Sequence, residues 1–128
     1  LIVIDTSALV AMLLGEPEAT ACREVVEAHD AILISAGTLA EALIVSGERG
    51  FADRMAALID GLDCTILPVN SAVAHRVAGA YARWGEGHHP ARLNLGDCFA
   101  YASASEHGCP LLYVGDDFAK TDLQSALP

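Results

Sequence analysis

The sequence predicts an α/β fold: three layers, α/β/α, around a central and mainly parallel sheet. Short apolar runs at Leu1–Ile4, Ala31–Ile34, Cys64–Leu67 and Leu111–Val114 have the length and branched character of buried strands. Longer helix-like stretches separate them, and no internal repeat or low-complexity segment breaks the alternation. Strands that alternate with helices favour parallel pairing, with helices covering both faces of the sheet.

Each element has a local reason. Leu1–Ile4 closes on Asp5, and Thr6-Ser7-Ala8-Leu9 then opens a helix-like pattern. Glu16-Pro17-Glu18 is a start signal for a helix from Pro17 to His29 with a broad apolar face. Ala31–Ile34 reads as the second strand, and Ser35 as the N-cap of a helix running from Ala36 towards Gly47 or Gly50. Ala52–Leu62 is a further helix, and Pro68 stops the strand Cys64–Leu67. Asn70 or Ser71 caps a helix reaching Trp84, and Gly85–Pro90 is a loop. Asn94 or Leu95 opens the next helix, which ends at Gly108. After Leu111–Val114, the stretch Phe118–Pro128 holds one helical turn and a short edge strand.

The chain has 128 residues, the length of one domain, and 53% of them are hydrophobic, which excludes disorder. Leu1–Leu14 is apolar enough to suggest a secretory signal, but it lacks a basic opening and carries Asp5. No run is long enough to span a membrane. The expectation is a single domain, residues 1–128, in the cytoplasm and away from membranes. Cys22, Cys64, Cys98 and Cys109 show no C-x-x-C spacing, so neither a zinc set nor a disulfide framework is expected.

The net charge of −10 argues against a protein that grips nucleic acid through a basic surface. Bound dications would change that balance where a phosphate must sit. An acidic chain also suits a basic protein partner.

Five acids are placed to hold such ions. Asp5 ends the first strand, Glu41 lies on an apolar face of the helix after the second, and Asp97 falls in the first turn of a late helix. Asp116 and Asp117 follow the fourth strand. Sites in open α/β sheets form at the carboxyl ends of the strands. Carboxylates crowded there repel one another, a cost that a hard dication removes; oxygen ligands suit Mg²⁺ or Mn²⁺. Such a site activates water for in-line attack on a phosphodiester.

In Val3–Val10, Glu41, Leu93–Cys98, Gly115–Phe118 and Thr121-Asp122, the sequence resembles a PIN-domain ribonuclease, specifically the VapC-type toxins of type II toxin–antitoxin pairs. The motifs fall in family order and cover essentially the whole chain. The resemblance implies a Mg²⁺-dependent endoribonuclease, with Mn²⁺ as the alternative ion. It also implies a homodimer that acts on RNA and is held inactive in a larger assembly by a cognate antitoxin. Asp5, Glu41 and Asp97 then correspond to acids that bind or orient metal, and Thr6 to the hydroxyl residue supporting the first. The fourth acid of many PIN domains stands three places before the Phe, where this chain has Gly115; Asp116 is preferred in its place, with Asp117 as alternate. The antitoxin is expected in a groove walled by the Glu41 helix and the helix from Pro17.

Each feature has a plainer account. Asp5 and Asp97 could merely cap helices, and Asp116-Asp117 could be a turn. A lone Glu on an Ala/Leu/Ile face is harder to dismiss. His88, His89 and Arg92 read as a solvated loop, Tyr81 and Trp84 as packing residues, and Met12 and Met55 as core. A haloacid-dehalogenase-type phosphatase would need a second Asp at position 7, where Ser7 stands. A receiver domain would need an acceptor Asp after the third strand, which instead ends in Pro68-Val69-Asn70. A silent PIN-like domain that only binds RNA or protein is the remaining alternative, and the intact acids oppose it.

Overall fold

Alternation along three short strands divides the interior in two. In a computed structural model describing residues 1–128, β1 (Ile2–Ile4), β2 (Ile32–Ser35), β3 (Thr65–Leu67) and β4 (Leu111–Leu112) form one sheet in the order β3-β2-β1-β4. Every pairing is parallel. Val3, Leu33 and Leu111 point to one face, where Val77, Trp84, Cys98 and Tyr101 complete a core. Ile2, Ile4, Ile32, Ile34 and Leu112 point to the other, against Leu9, Met12, Cys22, Ala42, Met55 and Ile59. Period-two side chains thus serve two helical layers at once.

The helices are α1 (Thr6–Leu14), α2 (Ala19–Glu27), α3 (Ala36–Glu48), α4 (Ala52–Leu62), α5 (Ser71–Trp84) and α6 (Leu95–His107). Their ends follow local chemistry. Ser35 accepts a bond from Gly37 N, Asn70 from Val73 N, and Asn94 from Asp97 N. Gly15 and Gly108 end α1 and α6 in the left-handed region, with φ of 64° and 59°, where a glycine carries no β-carbon penalty. The C-terminal end of α1 has no basic residue of its own. Arg23 of α2 instead donates to Met12 O at 2.6 Å and Arg54 of α4 to Leu13 O at 3.2 Å.

Several expectations are corrected. β4 is only two residues long, because Tyr113 and Val114 already turn out of the sheet towards the acidic loop. The helix expected from Pro17 begins at Ala19, after a turn through Pro17 and Glu18. A groove of about 420 Å³ opens between α2 and α4, lined by Val26, Glu27, Leu58 and Leu62 among others. α4 packs beside both α1 and α3, so it is α4 that faces α2 across the opening. The edge strand β3 is largely exposed, with Ile66 outward. Beyond a 3-10 turn at Phe118–Lys120, Ser125 bridges to Leu111 in place of the expected edge strand.

Candidate active site

Asp5 is fixed by its backbone before its side chain does anything. Its N–H donates to Leu112 O at 3.0 Å, which locks the end of β1 to β4. The residue then serves as the N-cap of α1. Oδ2 accepts from Ser7 N at 3.0 Å and from Ser7 Oγ at 2.6 Å. Oδ1 is buried and has no partner. Burial lifts this carboxyl to about 6; the Ser7 bonds oppose the rise and repulsion from Glu41 adds to it. The helix-capping account of Asp5 is therefore true but incomplete, since it explains Oδ2 and leaves Oδ1 costly.

Glu41 comes from α3 and is tied to α1, where Thr6 Oγ1 donates to Glu41 Oε1 at 2.6 Å. Asp97 is the third residue of α6 and closes a capping box, accepting from Asn94 N at 3.1 Å. Burial raises its carboxyl to about 7, against the Asn94 bond, and repulsion from Asp5, Glu41 and Asp117 contributes. Acids from separate segments thus act on one another: Glu41 raises the proton affinity of Asp5, and Asp5, Glu41 and Asp117 raise that of Asp97.

The two acids after β4 differ. Both are exposed, yet only Asp117 is among the charges acting on Asp97. Asp117 begins the 3-10 turn, and its side chain makes no capping bond there.

Two residues of the site escaped the sequence reading. Ser7 donates to Asp5 and also accepts from Val114 N at 3.0 Å, joining the first acid to the backbone that leads to Asp116 and Asp117. Gly96 lies flush against the Glu41 carboxylate. The hydroxyl of Ser7 was visible as a member of the Thr6-Ser7 pair; its partner, more than a hundred residues away, was not.

No three His, Cys, Asp or Glu side chains converge closely enough to enclose a cation by themselves. Mg²⁺ retains waters and takes only one or two carboxylates plus substrate phosphate, so it does not require such a cage. The orphaned Oδ1 of Asp5 and the oxygen-only donors near it would suit such an ion, with one or two of Asp5, Glu41 and Asp97 as its direct holders and the others, with Asp116 or Asp117, reaching it through water. Cys98, next to Asp97, is no nucleophile: burial and the neighbouring carboxylate push its thiol to about 11. All four cysteines are free. The largest cavity, about 640 Å³, lies beside the acids rather than among them, between α5 and the start of α6, lined by Val77, Tyr81, Leu95 and Phe99 among others. His89 is half-buried and packs edge-on against Trp84 at a ring distance of 4.6 Å, while His88 stays exposed beside Tyr81 at 5.8 Å.

The family model described as PIN domain covers residues 2–123. The chain belongs to the PIN-domain family. Among curated PIN-domain relatives, Ribonuclease VapC30 of Mycobacterium tuberculosis is 40% identical, over 98% of this chain and 99% of its own. Ribonuclease VapC36 of the same organism is 41% identical, over 95% and 91%. These relatives place the chain among the VapC ribonucleases. Solved structures share the PIN fold at low identity. The VapC20 toxin of M. tuberculosis, titled as cleaving the sarcin–ricin loop, superposes with a TM-score of 0.80 at 14% identity, covering the whole of both chains. A chain of a toxin–antitoxin complex from Klebsiella pneumoniae gives 0.71 at 19%, over 95% of this chain and 93% of that one. No helix is long and apolar enough to cross a membrane.

Proposed function

We propose that this VapC ribonuclease is a Mg²⁺-dependent endoribonuclease, with Mn²⁺ as the alternative ion, and the toxin of a type II toxin–antitoxin pair. The observation that carries the reading is the buried, unpartnered Oδ1 of Asp5, with Glu41 raising the proton affinity of both Asp5 and Asp97. A bound dication would neutralise that repulsion, activate water and stabilise the oxygens of a phosphodiester under in-line attack. Asp5 is held rigid by Ser7, Glu41 is aimed by Thr6, and Asp97 is fixed by the Asn94 cap. The fourth acid is assigned here to Asp117 in preference to Asp116, on the strength of its coupling to Asp97.

Protein purified free of any partner should cleave RNA with Mg²⁺ or Mn²⁺ and stop in EDTA. Products should carry 5′-phosphate and 3′-hydroxyl ends. Cleavage that persists in EDTA, or cyclic 2′,3′-phosphate ends, would refute a metal-bound water mechanism. Asp117→Asn should lose more activity than Asp116→Asn, and the reverse order would restore Asp116.

Two partners follow. An antitoxin with a basic, partly helical segment suits the −10 chain and the apolar α2–α4 groove. A second copy suits the apolar surface formed by exposed Val69 and Leu95 at the α5–α6 cavity. Growth arrest on expression alone, relieved by a co-expressed neighbouring gene product, tests the first. Sedimentation of the Leu95→Glu variant against the parent tests the second. Harmless expression with no binding neighbour would remove the toxin assignment and leave the nuclease chemistry standing.

A further inference from the structure

Two glycines govern how the helix carrying Glu41 meets the helix carrying Asp97. A β-carbon built at Gly37 of α3 would fall inside the ring of Phe99. One built at Gly96 of α6 would fall inside the Glu41 carboxylate, 2.5 Å from Cδ and closer still to Oε2. The contacts run in opposite order along the helices, Gly37 then Glu41 on α3 against Phe99 then Gly96 on α6. α3 and α6 thus cross at this point, each filling the hollow that the other leaves. Neither glycine has a positive φ, so the backbone demands neither of them. What both provide is room.

We infer that Gly96 is a positioning residue whose missing side chain forms the seat of the Glu41 carboxylate; this rests on the dication reading of the acids and deepens it. The carboxylate is held on one side by Thr6 Oγ1 and on the other by the bare face of Gly96. A methyl group at position 96 must displace something. α6 resists moving, because Phe99 is already seated on Gly37 and the Asn94–Asp97 capping box fixes the first turn. The Glu41 side chain is the flexible partner, with rotatable bonds and a partly exposed end. It is therefore the carboxylate that swings away, leaving the helix in place. Alanine is the better helix residue, so nothing in α6 itself objects to the substitution. A glycine needed only for packing would behave in the opposite way, with lost stability and an unaltered site.

The test uses the full chain purified without partner, Mn²⁺ as probe and calorimetric titration as readout, on the parent, Gly96→Ala, Glu41→Ala and the double variant. Gly96→Ala should keep or raise Tm while weakening Mn²⁺ binding about tenfold or more. The double variant should bind within about twofold of Glu41→Ala alone, because the methyl then has no carboxylate left to displace. A crystal structure of metal-free Gly96→Ala should show Glu41 detached from Thr6. Parental Mn²⁺ affinity in Gly96→Ala, additive losses in the double variant, or a Glu41 still bonded to Thr6 would each overturn the proposal. Failure of the dication reading has a different signature. The parent would bind no Mn²⁺, while Glu41 would still be detached in the Gly96→Ala crystal, and the seat would stand without the metal.

Discussion

At the scale of single residues, the site separates charge from position. Asp97→Asn retains an oxygen that can accept from Asn94 N, so the cap survives while the charge goes. Cleavage should fall about a hundredfold or more. Thermal unfolding of the metal-free variant at pH 8 should occur at a higher temperature than for the parent, since burial and three like charges oppose the ionised form. Near-parental cleavage would return Asp97 to a capping role. Ser7→Ala tests position without touching an acid. It removes a donor from Asp5 and an acceptor from Val114 N, and should cost about 1–3 kcal/mol in urea unfolding. The Asp5 carboxyl should titrate higher still in this variant, because the Ser7 bonds are what hold it down. A stability unchanged by the substitution would show that water replaces the hydroxyl.

At the scale of elements, boundaries were legible wherever a residue carries its own signal. Ala52–Leu62 emerged with the expected limits, and Ser35, Asn70 and Asn94 cap by their own side chains. Signals failed where a neighbour decides. β4 shortens because Ser7, from the far end of the chain, accepts the Val114 N–H that would otherwise extend a ladder. Asp5 and Asp97 were readable as acids at a strand end and a helix start, and Glu41 as a lone acid on an apolar helix face. Gly96 was unreadable, since its role is defined by the Glu41 atoms opposite it. The C-terminal end of α1 is a similar case, satisfied by arginines from α2 and α4. Arg23→Ala should destabilise the fold by about 1 kcal/mol in denaturant, through loss of a charge-assisted bond at the negative end of the helix dipole. Arg23→Lys should recover part of the loss. Equal losses in both variants would point to the guanidinium plane and away from its charge.

For the whole molecule, burial of two carboxyls, with repulsion between acids adding to it, makes stability run against pH. Asp5 and Asp97 bind a proton more readily when folded than at the ordinary value of 3.8, with folded values of about 6 and about 7. Their contribution is complete below that ordinary value and is lost as pH rises through the folded ones. For Asp5 alone the swing is on the order of 3 kcal/mol. Metal-free protein should therefore unfold at a higher temperature at pH 5 than at pH 8, once other titrations are balanced by the Asp97→Asn control. Added Mg²⁺ should raise Tm at pH 8 and do little at pH 5, where protons occupy the same oxygens. An equal Mg²⁺ effect at both values would place the ion elsewhere.

The bond from Val114 N to Ser7 Oγ joins the two ends of the chain across the middle of the sheet, with β1 lying between β2 and β4. A chain still emerging from the ribosome, with β4 inside the exit tunnel, has no partner for the outer edge of β1. It also lacks an anchor for Ser7 and any fourth acid. Glu41 and Asp5 are synthesised early, but the bond that ties Ser7, beside Asp5, to the backbone leading to Asp116 and Asp117 forms only once the last strand has arrived. On the proposed site, the order of synthesis therefore sets the order in which its acids are anchored.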